Sequence, residues 1–204
     1  MKSILLIGGG GHCHSCIDVI EESGHYQIAG IVQPIASSEL ILGYPVIGTD
    51  NDLPILLKKS NSALVTVGQI RNAETRLRLF DRLIQLGAEL PTIISQKAHC
   101  SYHAIIGQGS IIMHGAIINA GAKIGNNCIV NSQALVEHDA KIEDHCHIST
   151  GALVNGNVVI GKCSFIGSGT IIREGVRVGE NVVIGAGQVV LEDVPNGTVL
   201  KHVK

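Results

Sequence analysis

The sequence predicts two parts: a small α/β domain of parallel type over residues 1–92, and a parallel β-helix with a short C-terminal tail over residues 93–204. Two observations support this division. In the first half, short apolar runs alternate with an amphipathic helical pattern, whereas the second half repeats with a period of six residues. A six-residue repeat cannot be helical, but it suits short strands joined by tight corners.

Composition describes a globular protein, since 45% of the 204 residues are hydrophobic and 16% are charged. A net charge of −2 without a basic block argues against nucleic acid or a membrane surface as a partner, and leaves a small molecule as the default. The apolar run at residues 4–7 is too short for a signal peptide, and no stretch approaches the ~18 residues of a membrane span. We therefore expect a cytoplasmic protein without membrane insertion.

The first part contains three predicted strands and two predicted helices. KSILLIG predicts a strand that leads through GGGHCHS into an amphipathic helix, on which Cys16, Val19 and Ile20 share one side. AGIV and ALVTVG predict two further strands, and AETRLRLFDRLIQLGA predicts the second helix. Strands that alternate with helices indicate a Rossmann-like parallel sheet.

A glycine-rich turn at residues 8–11 separates the first strand from the first helix. It lets the backbone approach a ligand, and the amides at a helix N-terminus favour an anion such as a diphosphate. The dinucleotide fingerprint is incomplete, because Cys13 replaces its last Gly or Ala, and Gln33 and Pro34 replace the acid that binds a ribose. We therefore do not expect NAD.

Six cysteines without an export signal are expected to be reduced thiols. Cys13 and Cys16 form a CxxC motif around His14, but no second ligand pair occurs at a spacing that fits zinc or a redox centre. Cys128 and Cys146 are 18 residues apart at a small position of the repeat, which indicates core packing.

In the second part, an aliphatic residue stands at every sixth position without exception. These positions are Ile106, Ile112, Ile118, Ile124, Val130, Val136, Ile142, Ile148, Val154, Ile160, Ile166, Ile172, Val178, Ile184 and Val190. A small residue usually stands two positions before each of them, and Gly or Asn often follows. We expect the aliphatic side chain to point inward and the preceding residue to point outward.

This repeat resembles that of the hexapeptide-repeat acyltransferases, which form a left-handed, triangular β-helix with three hexads per coil. The resemblance implies that outward residues stack on three faces. The first face carries Ile117, Leu135, Leu153, Ile171 and Val189; the second carries Ile111, Ile129, His147, Phe165 and Val183; the third carries Ile105, Lys123, Lys141, Val159 and Arg177.

The first and second faces are largely apolar, and the third is not. Exposed apolar stripes of this length favour burial against copies of the same chain, and a homotrimer is the habit of the resembled family. The alternative is that β-branched residues are present only because they suit strands.

The whole chain resembles one branch of these enzymes, the bacterial sugar acetyltransferases that include UDP-4-amino-sugar N-acetyltransferases and sialic acid O-acetyltransferases. The similarity lies in LIGGGGHCHSCIDVI, LVTVGQIRNAETRLRLF, IVNSQALVEHDAKIEDHCHIS and the repeats around GNVVIG. It implies acetyl-CoA as the co-substrate and no metal. The implied residues are His138 and Asp139 for catalysis; Asn131, His147, Gly156, Ser168 and Ala186 for acetyl-CoA; and Gly10, Gly11, His12 and Gly68 for the acceptor.

Two departures from the resembled branch concern the acceptor and the C-terminus. Many relatives have acids where Gln33 and Pro34 stand, and the final segment DVPNGTVLKHVK lacks the Gly-Asn-Pro-Ala ending common among them. Nucleoside contacts and tail contacts are therefore not carried over from the family.

The repeat predicts that three histidines point out of the β-helix, because His138, His145 and His147 lie two after, three after and one before an inward position. We expect His145 to be a surface residue. Imidazole accepts a proton near neutral pH, and an adjacent carboxylate, here Asp139 or Glu137, selects its tautomer.

The neighbours of His138 in the stack are small. Ala120 lies one coil before it and Gly156 one coil after it, so we expect room for a substrate beside the imidazole.

The favoured function is direct transfer of acetyl from acetyl-CoA to the 4-amine of a UDP-4-amino-4,6-dideoxy-sugar, with His138 as general base. The first alternative is O-acetylation of a sialic or legionaminic acid, whose carboxylate Arg71 could bind. Two others are a metal-dependent carbonic anhydrase, in which His114, His138 and His147 would be metal ligands shared across subunits, and a scaffold that binds a sugar without catalysis.

Overall fold

The computed structural model describes residues 1–35 and 38–201; the last three residues of the C-terminal segment lie outside this range. The elements of the front domain follow the order β1 (Lys2–Ile7), α1 (Gly11–Ser23), β2 (Tyr26–Val32), β3 (Leu40–Ile41), β4 (Tyr44–Gly48), a 3-10 turn (Asp50–Asp52), α2 (Leu53–Leu56), β5 (Ser62–Val65) and α3 (Glu74–Gln85).

The five strands form one sheet in the order β3-β4-β2-β1-β5, and every pair except the β3–β4 hairpin is parallel. The predicted strands and helices are confirmed. The sequence prediction missed β3, β4 and α2, because these short segments have no clear periodicity and β3 and β4 lie at the edge of the sheet.

The sheet of the front domain is covered on both sides. Ile4 and Leu6 pack in the cluster that contains α1, whereas Leu5 and Ile7 pack in the cluster that contains α3. Successive side chains of a strand point to opposite faces, so an uninterrupted apolar strand such as β1 requires a helix on each side.

Two-residue strands then follow one another around three parallel sheets. The first face holds β7 (His99–Cys100), β10 (Ile117–Ile118), β13 (Leu135–Val136), β16 (Leu153–Val154), β19 (Ile171–Ile172) and β22 (Val189–Val190). The third face holds β8 (Ile105–Ile106), β11 (Lys123–Ile124), β14 (Lys141–Ile142), β17 (Val159–Ile160) and β20 (Arg177–Val178). The second face holds β6 (Ile93–Ile94), β9 (Ile111–Ile112), β12 (Ile129–Val130), β15 (His147–Ile148), β18 (Phe165–Ile166), β21 (Val183–Ile184) and β23 (Val199–Leu200).

Strands pair with a register of 18 residues, as Leu135 does with Leu153, so three hexads make one coil. All inward aliphatic residues from Ile112 to Val190 are buried, while Ile106 in the first coil is only partly covered. The predicted left-handed parallel β-helix is confirmed. The division at residue 92 stays a prediction.

The front domain packs on the second face of the β-helix. Ile111, Met113 and Ile129 belong to the same buried cluster as the apolar side of α1. The expectation that copies of the chain cover this second face is therefore wrong for these coils, because the chain's own front domain covers them. The first face stays open, and Ile117 and Val189 are 40% and 61% exposed.

Within the described residues, no helix combines the length and the apolar character that crossing a bilayer requires.

Candidate active site

His138 lies at the corner where β13 turns into β14. The next residue, Asp139, has φ 59°, a left-handed conformation that Asp tolerates better than most residues. This turn brings Asp139 Oδ2 to 3.0 Å from His138 Nδ1, while Glu137 Oε2 instead accepts the backbone N–H of His138 at 3.1 Å. Asp139 is therefore the carboxylate that contacts the imidazole. It selects the tautomer that leaves Nε2 as a proton acceptor.

The imidazole of His138 lies over Gly156, the residue one coil further on. A Cβ on Gly156 would stand 2.7 Å from His138 Nε2, closer than Cβ atoms come to non-bonded atoms in real proteins. The space that the sequence prediction reserved for a substrate on this side is occupied by the imidazole itself. The absence of a side chain at Gly156 therefore makes room for the imidazole of His138.

A cavity of about 830 Å³ lies where the front domain meets the β-helix. Its lining residues are Gly8, Gly9, Gly10, Gly11, His12, Ser15, Gln33, Pro34, Val67, Gly68, Gln69, Ile70, Thr75, Asn131 and His147. The structure thus brings all four residues predicted for the acceptor together with two of those predicted for acetyl-CoA.

The N-terminus of α1 forms part of this cavity. Gly10 is the N-cap residue, no side chain caps the helix, and the first turn carries no acid. A Cβ on Gly10 or Gly11 would meet no atom within 4 Å. The N–H of Cys13 donates to the Gly10 carbonyl at 2.8 Å, whereas the N–H groups of Gly11 and His12 precede the helical hydrogen-bond ladder, so these two groups and the helix dipole favour an anion here.

His147 is held as one neutral tautomer. Its Nδ1–H donates to the Gln69 carbonyl at 2.6 Å, which leaves Nε2 as an acceptor for the Asn131 amide at 3.4 Å. Asn131 Oδ1 accepts the backbone N–H of Ser132 at 2.8 Å, which fixes the orientation of the amide. Burial lowers the pKa of His147 to about 4, against an opposing effect of the Gln69 carbonyl. An Asn131 N–H remains available to the cavity.

A second imidazole, that of His12, lies beside His147 with ring centroids 6.4 Å apart. Its Nε2 is buried and has no hydrogen-bond partner within residues 1–35 and 38–201. Burial, and then the charge of Arg76, lower the pKa of His12 to about 3. A neutral imidazole with an unused nitrogen is suited to a hydrogen bond with a bound ligand.

A second cavity of about 570 Å³ lies further along the β-helix. It is lined by Ile70, Arg71, Phe165, Gly167, Ser168, Val183, Gly185, Ala186, Val199, Leu200 and Lys201. Ser168 and Ala186, for which the sequence predicts contact with acetyl-CoA, both line this cavity, and Ile70 lines both this cavity and the acceptor cavity. Arg71 lines this cavity and not the acceptor cavity, so it is not placed to bind an acceptor carboxylate there.

The predicted site residues are divided between opposite sides of one chain. His138 and Gly156 lie at the corner between the first and third faces, whereas His147 lies on the second face. In a prism of three faces, that corner is opposite the second face. A single chain therefore does not bring His138 to its own acceptor cavity.

His145 is partly covered by the front domain, so the prediction of a surface residue is wrong. Its Nδ1 lies 3.0 Å from Asn127 Nδ2, and its ring meets Phe80 edge-on at 5.4 Å. Burial lowers its pKa. The front domain folds back over this corner, which no local sequence pattern showed.

Within one chain, the three histidines of the carbonic anhydrase alternative lie at different places on the β-helix, with His114 after β9, His138 after β13 and His147 on β15. His114 Nε2 contacts Asp18 Oδ2 at 2.8 Å and its Nδ1 contacts Ser95 Oγ at 2.6 Å, at the seam between α1 and the β-helix. In the part of the chain that the structure describes, no cluster of three or more His, Cys, Asp or Glu residues could hold a metal ion.

The CxxC motif is buried in the core. Cys13 and Cys16 are fully covered, and burial raises the pKa of both thiols. Buried, protonated thiols are poor nucleophiles and ligands. Cys128 and Cys146 pack inside the β-helix, as predicted.

Sequence reasoning missed three polar residues that support the site: Gln69, Arg76 and Asn127. Arg76 was detectable, because it shares the buried stripe of α3 with Leu79 and Leu83 at helical spacing. Gln69 and Asn127 act through contacts between the two domains, which sequence periodicity does not reveal.

Comparisons with known proteins agree with this architecture. The PglD N-terminal domain matches residues 3–83, and the bacterial transferase hexapeptide repeats match residues 103–138 and 157–190. A comparison with curated proteins gave no match.

Among solved structures, the acetyltransferase domain of PglB from Neisseria gonorrhoeae is 34% identical, with a TM-score of 0.91 over 98% of this chain and 96% of that chain. The same domain has been solved in complex with acetyl coenzyme A. A histidine-to-asparagine mutant of perosamine N-acetyltransferase from Caulobacter crescentus, in complex with CoA and GDP-perosamine, is 31% identical, with a TM-score of 0.91 over 98% of this chain and 93% of that chain.

The β-helix and its cavities, together with these similarities, define an acyltransferase of the hexapeptide-repeat class. More narrowly, the chain belongs to the acetyl-CoA-dependent sugar acetyltransferases that join a PglD-type N-terminal domain to hexapeptide repeats.

Proposed function

We propose that this protein transfers acetyl from acetyl-CoA to the 4-amine of a nucleotide-linked amino sugar, specifically a UDP-4-amino-4,6-dideoxy-sugar. The observation that carries the proposal is the 830 Å³ cavity, in which an uncapped helix N-terminus lies across from Asn131 and His147. The helix N-terminus suits a diphosphate, and the surroundings of Asn131 and His147 suit a reacting acetyl group. The Caulobacter relative, solved with GDP-perosamine, supports a nucleotide-linked amino sugar as the acceptor.

The acceptor's diphosphate would bind the free N–H groups at Gly11 and His12. The open space at Gly10 and Gly11 lets the phosphate oxygens approach the backbone. The sugar would then extend toward His147 on the second face. Gln33 and Pro34, which also line the cavity, would contact the nucleoside in place of the acids found in many relatives.

Acetyl-CoA would lie in the second cavity, against Ser168 and Ala186, with its thioester toward Asn131. Arg71 and Lys201 supply positive charge there for the phosphates of coenzyme A. The remaining Asn131 N–H would donate to the thioester carbonyl oxygen, where negative charge develops during the attack.

Transfer would proceed in one displacement. The amine nitrogen attacks the thioester carbonyl carbon, the new C–N bond forms, and the C–S bond breaks to release coenzyme A. His138 Nε2 takes the proton from the attacking amine, while Asp139 holds Nδ1–H. No cysteine lines either cavity, so an acyl-enzyme on a thiol has no support here.

His138 would act on the acceptor bound by a neighbouring copy, since it lies opposite its own acceptor cavity. The first face favours such an assembly. Its outward residues from Ile117 to Val189 form an apolar stripe, in which Ile117, Ile171 and Val189 are 40%, 38% and 61% exposed. A homotrimer in which the first faces meet around a threefold axis would cover all three stripes and bring each His138 corner to the adjacent chain.

O-acetylation of a sialic-type acid is the alternative. It has less support, because Arg71, the proposed partner of a sugar carboxylate, lines the other cavity. The deciding experiment measures coenzyme A release with a UDP-4-amino-sugar, GDP-perosamine and sialic acid in parallel. We expect turnover with the UDP-linked amine. Turnover only with sialic acid would reverse the assignment, and preference for GDP-perosamine would keep the reaction and change the nucleotide.

A further inference from the structure

Arg76 is a buried cation whose partners are neutral. It is 1% exposed, and its guanidinium meets four carbonyl-type oxygens, with Nε left unpartnered among the described residues. Nη1 donates to the Val65 and Val67 carbonyls at 2.9 and 2.6 Å. Nη2 donates to the backbone carbonyl and Oδ1 of Asn127 at 3.1 and 2.7 Å. Burying a charge without a counter-charge costs stability, so these bonds call for an explanation beyond packing.

The two ends of the guanidinium hold two different domains. Val65 and Val67 lie at the carboxyl end of β5, where the loop that carries Gly68, Gln69 and Ile70 begins. Asn127 lies at a corner of the β-helix, with φ 52°. Arg76 thus joins the loop to the β-helix by charge-assisted hydrogen bonds.

That loop orients the reacting site. The Gln69 carbonyl accepts the Nδ1–H of His147 at 2.6 Å, and His147 Nε2 faces the amide of Asn131. Besides this bond to His147, Gln69 contacts the β-helix through its Nε2, which reaches the Cys163 and Ser164 carbonyls only at 3.4 Å. Apart from the His147 bond itself, Arg76 therefore makes the shortest of these polar contacts that hold the loop against the β-helix.

We propose that Arg76 is a positioning residue for acetyl transfer: by fixing the loop after β5 to Asn127, it places the Gln69 carbonyl that holds His147 in its Nδ1–H tautomer. The inference rests on the proposed function for its effect on turnover, but not for its effect on His147.

The charge of Arg76 favours the neutral form of His147, the form that the Gln69 carbonyl holds as one tautomer. It adds to burial in lowering the pKa values of both His12 and His147. A neutral His147 keeps the Nε2 lone pair that orients Asn131. Lysine would keep the charge, but one ammonium group cannot span four acceptors in two domains.

The test compares Arg76→Lys and Arg76→Met with Arg78→Met, a matched control that removes an exposed arginine from the same helix. Imidazole ¹H–¹⁵N NMR at pH 7 reports the tautomer of His147, whose signals are assigned by their loss in His147→Gln. We expect both Arg76 variants to lose the single Nδ1–H tautomer, with kcat lower by on the order of 10²-fold, as for a small misplacement of reacting groups. Arg78→Met should match the wild type in both the His147 tautomer and kcat.

An Arg76 variant that folds and keeps both the tautomer and kcat would overturn the proposal. So would one that loses kcat with the tautomer intact, since Arg76 would then act by another route. If neither Arg76 variant folds, Asn127→Gly serves instead, because Gly accepts the left-handed φ and its substitution removes the Oδ1 acceptor of Arg76 together with the Nδ2 contacts to His145 and the Arg76 carbonyl. We expect it to shift the tautomer in the same direction, and an unchanged tautomer would overturn the proposal. If the wild-type protein does not transfer acetyl but the tautomer of His147 changes in the Arg76 variants, the proposed function is refuted and the positioning role of Arg76 stands.

Discussion

The imidazole of His138 lies directly against Gly156, with Nε2 and Cε1 at 2.7 and 2.8 Å from the point where a Cβ would stand. Gly156 has no left-handed φ, so its lack of a side chain matters for space and not for backbone conformation. The imidazole of His138, the proposed base, therefore fits against the next coil only because residue 156 has no side chain.

Gly156→Ala should displace the imidazole and lower kcat by on the order of 10²-fold, because a small misplacement of a reacting group is costly. Steady-state kinetics with acetyl-CoA and the acceptor would measure this. Gly156→Ala should add no further loss to His138→Ala, since both changes act through one imidazole. Additive losses in the double variant would show that Gly156 acts elsewhere.

Asp139→Asn should lower kcat/KM more than Glu137→Gln does. Asp139 contacts His138 Nδ1, whereas Glu137 accepts only the backbone N–H, which a carboxamide oxygen can also do. Both changes are isosteric, so each controls for the other. We expect a loss within the ~10²–10⁴-fold range of acid–base catalysis for His138→Ala and a smaller loss for Asp139→Asn. Equal effects of the two isosteric variants would contradict the assignment of Asp139.

Leu153→Glu should break the assembly and abolish turnover, because it places a charge in the apolar stripe of the first face. Val159→Glu is the matched control, since Val159 is also half-buried at an outward position, but on the third face. Light scattering at micromolar concentration would report a trimer for the wild type and Val159→Glu, and smaller species for Leu153→Glu. A trimeric, active Leu153→Glu would show that another face forms the contact.

Gly10→Val should weaken acceptor binding and leave acetyl-CoA binding unchanged. Gly10 has an extended backbone, with φ −77° and ψ −174°, which valine adopts readily, and its Cβ would point into the open space of the cavity. Calorimetric titration with each ligand would separate the two effects. Equal affinity of the variant and the wild type for the acceptor would place the acceptor elsewhere.

Acidification should destabilise the fold in part through His147. Its pKa is lowered from 6.5 to about 4, so between these values the unfolded chain binds more protons than the folded chain. Stability therefore falls as the pH drops through this window. His147→Gln should reduce the dependence of the unfolding free energy on pH by up to about 1.4 kcal/mol per pH unit. Denaturant unfolding at pH 7, 6 and 5 would show this, and parallel curves for the two proteins would contradict it.

The repeat by itself predicted a β-helical solenoid and its inward set, because a strict six-residue period suits short strands that each point one aliphatic residue inward. The left-handed form with three hexads per coil followed from the family resemblance. The repeat also placed His138 and Asp139 at outward positions, and the 18-residue coil implied by the resemblance placed Gly156 beside His138. These results depend on spacing along the chain, and a regular coil converts spacing directly into position.

Only the tertiary structure decided what covers each face and which side chains meet across the two domains. The front domain buries Ile129 and His147, covers His145, and brings Gln69 and Arg76 to the β-helix. Burial then lowers the pKa of His147, which the sequence alone did not indicate. The physical reason is that these contacts join residues 51 to 78 positions apart, and their geometry depends on how two independently patterned units pack.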